Sequence, residues 1–174
     1  YNIQIKAVNV AGDGAASSTT AATPRTTPSA PTITAITPSN GSLSVAISAG
    51  FDGGSALTSY KYSTDGGTTF RTRAAGTTAS PIVIAFASSD GTTALVNGTS
   101  YDVQIRAINP IGNGAASSTT AATPATTPSA PTITAITPSN ATLSVAFTAG
   151  ATGGSAITNY EYSTDGGTTF KSRA

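Results

Sequence analysis

Sliding the chain along itself by 100 residues lays Tyr1–Ala74 over Tyr101–Ala174, and only 19 of the 74 aligned positions differ. The stretch YDVQIRAINPIGNGAASSTTAATP, from Tyr101 to Pro124, thus has a near copy at the start of the chain, YNIQIKAVNVAGDGAASSTTAATP. A period of this size is too long for a helical solenoid unit and suits a whole small domain, so the chain reads as an array of similar domains in line. Because each unit needs the same core, an array of this kind tolerates gentle exchanges, and the differences are mostly gentle ones, such as Val/Ile and Lys/Arg.

The segment TTAATPRTTPSAP, Thr19 to Pro31, returns as TTAATPATTPSAP and carries Pro24, Pro28 and Pro31. Proline interrupts sheet pairing and stiffens the chain toward an extended form, so the joint between domains belongs here. The expected boundaries follow: residues 1–27 are the closing strands of one repeat, 28–127 a complete repeat, and 128–174 the first half of another. The numbering then starts inside a repeat. A two-stranded tail is marginal alone in water and needs its other half from elsewhere.

Within 28–127 apolar residues alternate with polar ones, the period of strands with one buried face. Leu43, Val45 and Ile47 share one face of SLSVAIS, with Ser42, Ser44, Ala46 and Ser48 on the other; Tyr101, Val103, Ile105 and Ala107 oppose Asp102, Gln104 and Arg106. Further strands are expected at TITAIT (Ile33, Ile36), LTSYKYST (Tyr60, Tyr62), TTFRTR (Phe70), SPIVIAFA (Ile82, Ile84, Phe86) and GAASSTTAA. Asn40-Gly41, Asp65-Gly66-Gly67, Asp90-Gly91 and Asn97-Gly98 supply turn chemistry between them. The chain is 38% apolar and 9% charged, with Thr, Ser, Ala and Gly in place of charges, which favours strands over helices. The fold class expected is all-β, an antiparallel sandwich of seven or more short strands per unit.

LVNGTSYDVQIRAINPIGNG resembles the fibronectin type III domain, in which a Leu, a Gly-Thr turn and a Tyr precede a strand ending in Ala-x-Asn and a glycine-containing loop. PSAPTITAITPSNGSLSVAIS and GGSALTSYKYSTDGG resemble its opening strands, in order, and the likeness runs through the whole chain. It implies tandem fibronectin type III-like sandwiches of about 100 residues each. It also implies a tyrosine corner at Tyr101, its hydroxyl bonded to nearby backbone. The family's usual core Trp is replaced by Ile47 and, one repeat on, Phe147, which implies a core centre filled by Phe and Tyr from neighbouring strands. The connection from Ile84 to Leu95 is longer than the family needs, and Asp90-Gly91 can turn an extra hairpin there.

Chemistry is sparse. The chain has no Cys, His, Met or Trp, so disulfides, thiolate or imidazole metal sites and Cys/His or Ser/His/Asp catalytic sets are excluded. A net charge of +1 gives no field for nucleic acid or an anionic membrane. No apolar run approaches the roughly 18 residues of a membrane span. Asp65 and Asp165 each stand alone in Asp-Gly-Gly loops, where calcium would need several carboxylates; Asp52 becomes Thr152 in the next repeat. Asn40, Asn97 and Asn140 fit the glycosylation triplet but read first as turns. Arg71, Arg73 and Lys61 are a candidate basic patch on one sheet face, read as solvated because Lys61 becomes Glu161. The loop NPIGNG carries no Arg-Gly-Asp.

No catalytic, cofactor-binding or metal-binding residues, and no cofactors, are therefore expected. The expected function is non-enzymatic: a stalk, fibre or surface-filament segment of a long, exported, bacterial adhesin-like protein, lying outside the cell or on its surface. Its expected partners are neighbouring repeats of the same chain and other copies in a filament. Alternatives are a decoration or fibre segment of a phage virion, a glycan- or protein-binding module, and a spacer beside a carbohydrate-degrading enzyme. Residues 128–174 of one copy joined to 1–27 of another would still lack the equivalent of about 75–100, so completion within one longer chain is preferred to strand sharing.

Overall fold

The computed structural model describes residues 1–73 and 76–173, and those residues form antiparallel sheets without a helix. The opening segment holds four two-residue strands: β1 (Asn2–Ile3), β2 (Val8–Asn9), β3 (Gly12–Asp13) and β4 (Thr20–Ala21). β1 pairs with β4 and β2 with β3, in one long hairpin whose every residue is exposed. Its only ion pair joins Lys6 Nζ to Asp13 Oδ2 at 3.8 Å, and both side chains are solvated, so it adds little.

The central segment holds β5 (Thr32–Ser39), β6 (Ser42–Ser48), β7 (Ser59–Ser63), β8 (Arg71–Thr72), β9 (Ile82–Ile84), β10 (Tyr101–Asn109), β11 (Gly112–Ala116) and β12 (Thr120–Ala122). One sheet runs β5-β6-β9; the other runs β11-β10-β7-β8, with β12 also on β10. The turn between β5 and β6 is Asn40-Gly41, with Gly41 at φ +61°, a backbone that glycine adopts without strain.

The core lies between these sheets in a sandwich-like arrangement. Leu43, Val45, Ile82 and Ile84 line one side, and Tyr60, Tyr62, Val103, Ile105 and Ala107 the other, with Leu95 closing the cluster. Each fully buried aliphatic side chain here contributes on the order of 1.5–3 kcal/mol. The alternation expected for SLSVAIS and YDVQIRAI is present, with Leu43 and Val45, and Val103, Ile105 and Ala107, buried.

Several expectations need correction. GAASSTTAA is two strands, not one: β11 and β12 flank Ser117, whose hydroxyl accepts the Ile105 N–H at 3.0 Å and so interrupts the ladder. Phe86 does not continue the buried face of β9. It is exposed and bridges Ala94 in the extra hairpin, where Ala87 N–H bonds Thr93 O at 2.8 Å. The aromatic part of the core is Tyr60 and Tyr62, with Tyr101 packed against it; Phe70 is not in this cluster and lies half-buried beneath the guanidinium of Arg106, at 3.7 Å.

In the trailing segment β13 (Thr132–Ser139) and β14 (Thr142–Thr148) reproduce the register of β5 and β6, including the bulge, and β15 (Glu161–Tyr162) pairs with β16 (Lys171–Ser172). Phe147 and Tyr160 meet edge to face, centroids 4.6 Å apart.

Candidate functional site

Tyr101 fixes the lower end of the central segment. Its hydroxyl accepts the Val96 N–H at 3.0 Å, the local bond that the tyrosine-corner resemblance implies. The next turn, Asn97-Gly98, is locked from the other side: Asn97 Oδ1 accepts the Gly41 N–H at 2.8 Å, and its Nδ2 donates to Asn40 Oδ1 at 2.7 Å. Asn40 and Asn97 therefore serve as turn residues.

At the opposite end, Asn109 is a hub that sequence reasoning did not single out. Its Nδ2 donates to Thr26 O at 2.8 Å and Asp52 O at 2.9 Å, while Oδ1 accepts from Ile111 N–H and Gly112 N–H at 2.9 and 3.1 Å. All four hydrogen-bonding capacities of one buried amide are satisfied, which ties the incoming chain to two loops. The available signal was Asn9, the same residue in the same place of the other copy.

The proline-containing segments are bound to their surroundings rather than hanging free. Thr26 N–H bonds Gly53 O and Ser29 N–H bonds Phe51 O, both at 2.9 Å; one repeat later Thr126 N–H bonds Gly153 O at 2.8 Å and Ser129 N–H bonds Ala151 O at 2.9 Å. The Asp52/Thr152 exchange keeps one function: Asp52 Oδ1 accepts Gly54 N–H at 2.8 Å, and Thr152 Oγ1 accepts Gly154 N–H at 3.3 Å. Beside this joint an open groove of about 640 Å³ separates residues 38–40 from 155–159.

The acidic turns are self-contained. The Asp65 carboxylate accepts Ser63 Oγ at 2.7 Å and the Thr69 N–H at 3.0 Å, and Asp165 repeats this with Ser163 and Thr169 at the same distances. Partial desolvation pulls the Asp65 carboxyl up, but the bonds from Ser63 and Thr69 outweigh it and lower its pKa to about 2. Thr93 and Thr92 likewise hold Asp90 well below the usual carboxylate range. Ser88 Oγ accepts the Thr64 N–H and the Thr69 hydroxyl, both at 3.0 Å, which anchors the extra hairpin to the Asp65 turn.

The three basic residues do not form one patch. Register places Arg71 opposite Tyr62, and Lys61 opposite Thr72 and Arg106, on the other face of the sheet. Arg71 lies across Gly91, and Arg73 donates to the carbonyls of Thr77 and Ala79. Burial raises the pKa of Tyr60 and Tyr62, against the opposing charge of Arg73 and Arg71 respectively. These are the protonated tyrosines of a core.

No protein-family model and no curated protein sequence matches the chain. Among the described residues, no helix is long and apolar enough to cross a membrane.

Proposed function

We propose that the chain is a run of tandem fibronectin type III-like units, with 28–127 one complete unit flanked by parts of two others, and that it acts as a spacer. In this reading it is a stalk, fibre or surface-filament segment of a long exported, bacterial protein, without catalytic activity, and works outside the cell or on its surface. The observation that carries the proposal is the joint: Pro124 and Thr126, two residues apart, are bonded to the segments before and after them, which supports an arrangement of units in line. Duplication then adds length without altering any core, which also accounts for the mildness of the exchanges between copies.

Strands of seven to ten residues at about 3.3 Å each, plus a joint, add roughly 30–40 Å per unit. Small-angle scattering of chains carrying one, two and three further copies of residues 28–127 tests this. The maximum dimension rises by that step with each copy if the units are spacers in line. A dimension that stays flat as copies are added overturns the proposal.

A further inference from the structure

The contact between the central and trailing segments is made of glycine. Gly98 and Gly154 face each other at φ +85° and +93°; a Cβ on Gly154 would stand 2.5 Å from Gly98 N and 2.8 Å from Asn97 C, and one on Gly98 would stand 3.3 Å from Gly154 Cα. Gly154 has no room for a side chain and Gly98 only a tight fit for one, and neither backbone conformation suits one. Gly98 N–H donates to Pro124 O at 3.0 Å, and Pro124 is fully buried. From Pro124 the chain runs through Ala125 alone before Thr126 is bonded to Gly153. The tether left unbonded is therefore one residue long, and the turn it lies against is braced by Asn97 on Asn40 and Gly41.

We propose that Asn97–Thr99 is a docking turn whose partner is the Gly153–Gly154 seat of the next unit, and that this contact holds consecutive units in one fixed mutual orientation. Gly53 and Gly54 form the corresponding seat on the central segment. There Gly54 and Pro24 are exposed, whereas Gly154 is partly covered and Pro124 buried. The seat at Gly54 accordingly fits the Asn97–Thr99 turn of another copy of this unit. A seat of bare backbone accepts only a partner with an equally bare turn, which makes the recognition specific to its own repeat. The inference deepens the spacer reading by making the stalk a stiff one.

The chain contains no cysteine, so Thr37→Cys and Thr137→Cys give two unique spin-label sites on equivalent exposed strands. Electron–electron distance measurement on the whole chain is expected to give a single narrow distribution. Gly154→Val, which fills the seat, is expected to broaden it, while Gly54→Val, also at an unfavourable positive φ (+74°) but with no turn in its seat, leaves it narrow. Cross-strand nuclear Overhauser contacts between Ile136 and Val145 report that the trailing hairpin is still formed in each variant. A broad distribution in the unaltered chain, or one indifferent to Gly154→Val, overturns the fixed joint. Either result leaves a flexible spacer standing, since the growth of length with copy number is measured separately.

Discussion

Leu43 and Leu143 occupy the same place in hairpins of the same register, yet the first is fully buried and the second 62% exposed. Ile105 and Ile5 differ likewise, at 0% and 73%. The hairpin forms in both contexts because its information is local: a two-residue turn, β-branched residues and adjacent pairing partners. Burial is not local. Leu43 is covered by β9 and by the sheet built on β10, whose residues lie some sixty positions further along the chain. Strand length follows the same rule. β7 extends over Ser59–Ser63 with β10 along its free edge, whereas β15, with only β16 beside it among the described residues, is confined to Glu161–Tyr162.

If that contrast is correct, equivalent substitutions in the two contexts must have unequal effects within the same 174-residue chain. The largest difference is expected for Ile105→Ala, which opens a cavity in the core and destabilises the central segment by about 2–5 kcal/mol. Ile5→Ala changes the same transition by less than about 0.5 kcal/mol, because no core covers it. Urea denaturation followed by tyrosine fluorescence measures both.

Tyr101→Phe removes the hydroxyl that accepts the Val96 N–H and is expected to cost about 1 kcal/mol, with Tyr1→Phe neutral in the same assay. Gly41→Ala costs about 1–2 kcal/mol through its left-handed backbone alone, since a Cβ there meets Leu95 O at an ordinary 3.5 Å. Its mirror is already in the chain: Ala141 sits at φ +57°, so Ala141→Gly is expected to slow amide exchange in the trailing hairpin.

The smallest effect is on pH. Asp65 has a folded-state pKa of about 2, below its ordinary 3.8, so its contribution is complete above about pH 4 and declines as pH falls toward 2. The carboxylate is exposed and screened, which keeps this contribution small. Asp65→Asn is expected to flatten part of the acid limb of a stability-versus-pH curve, its small loss being greatest at neutral pH and vanishing as pH falls toward 2.

Much of this was legible in the sequence for a definite reason. The alternation of Leu43-Val45 and of Val103-Ile105-Ala107 marks buried faces directly, since a period of two has one structural meaning. Asn40-Gly41 and Asp65-Gly66-Gly67 announce their turns through the backbone that they permit. Phe86 was not legible, because in-phase apolar residues continue past the point where β9 stops and the chain turns away. The break at Ser117 depends on a side chain competing with the ladder, which composition does not reveal. The basic residues looked like a patch because their spacing is visible and their cross-strand register is not. The joint was legible only as proline-rich; the approach of Gly98 to Gly154, across fifty-six residues of chain, was not.

The measurement that bears most directly on the account is residue-resolved amide hydrogen exchange on the whole chain. The central segment closing its own core predicts slow, cooperative exchange at Val45, Tyr62, Val103 and Ile105, with Ile3, Ile5 and Val145 exchanging orders of magnitude faster. Comparable protection at Ile5 and Ile105 would show that the flanking strands find a core of their own, and would contradict it.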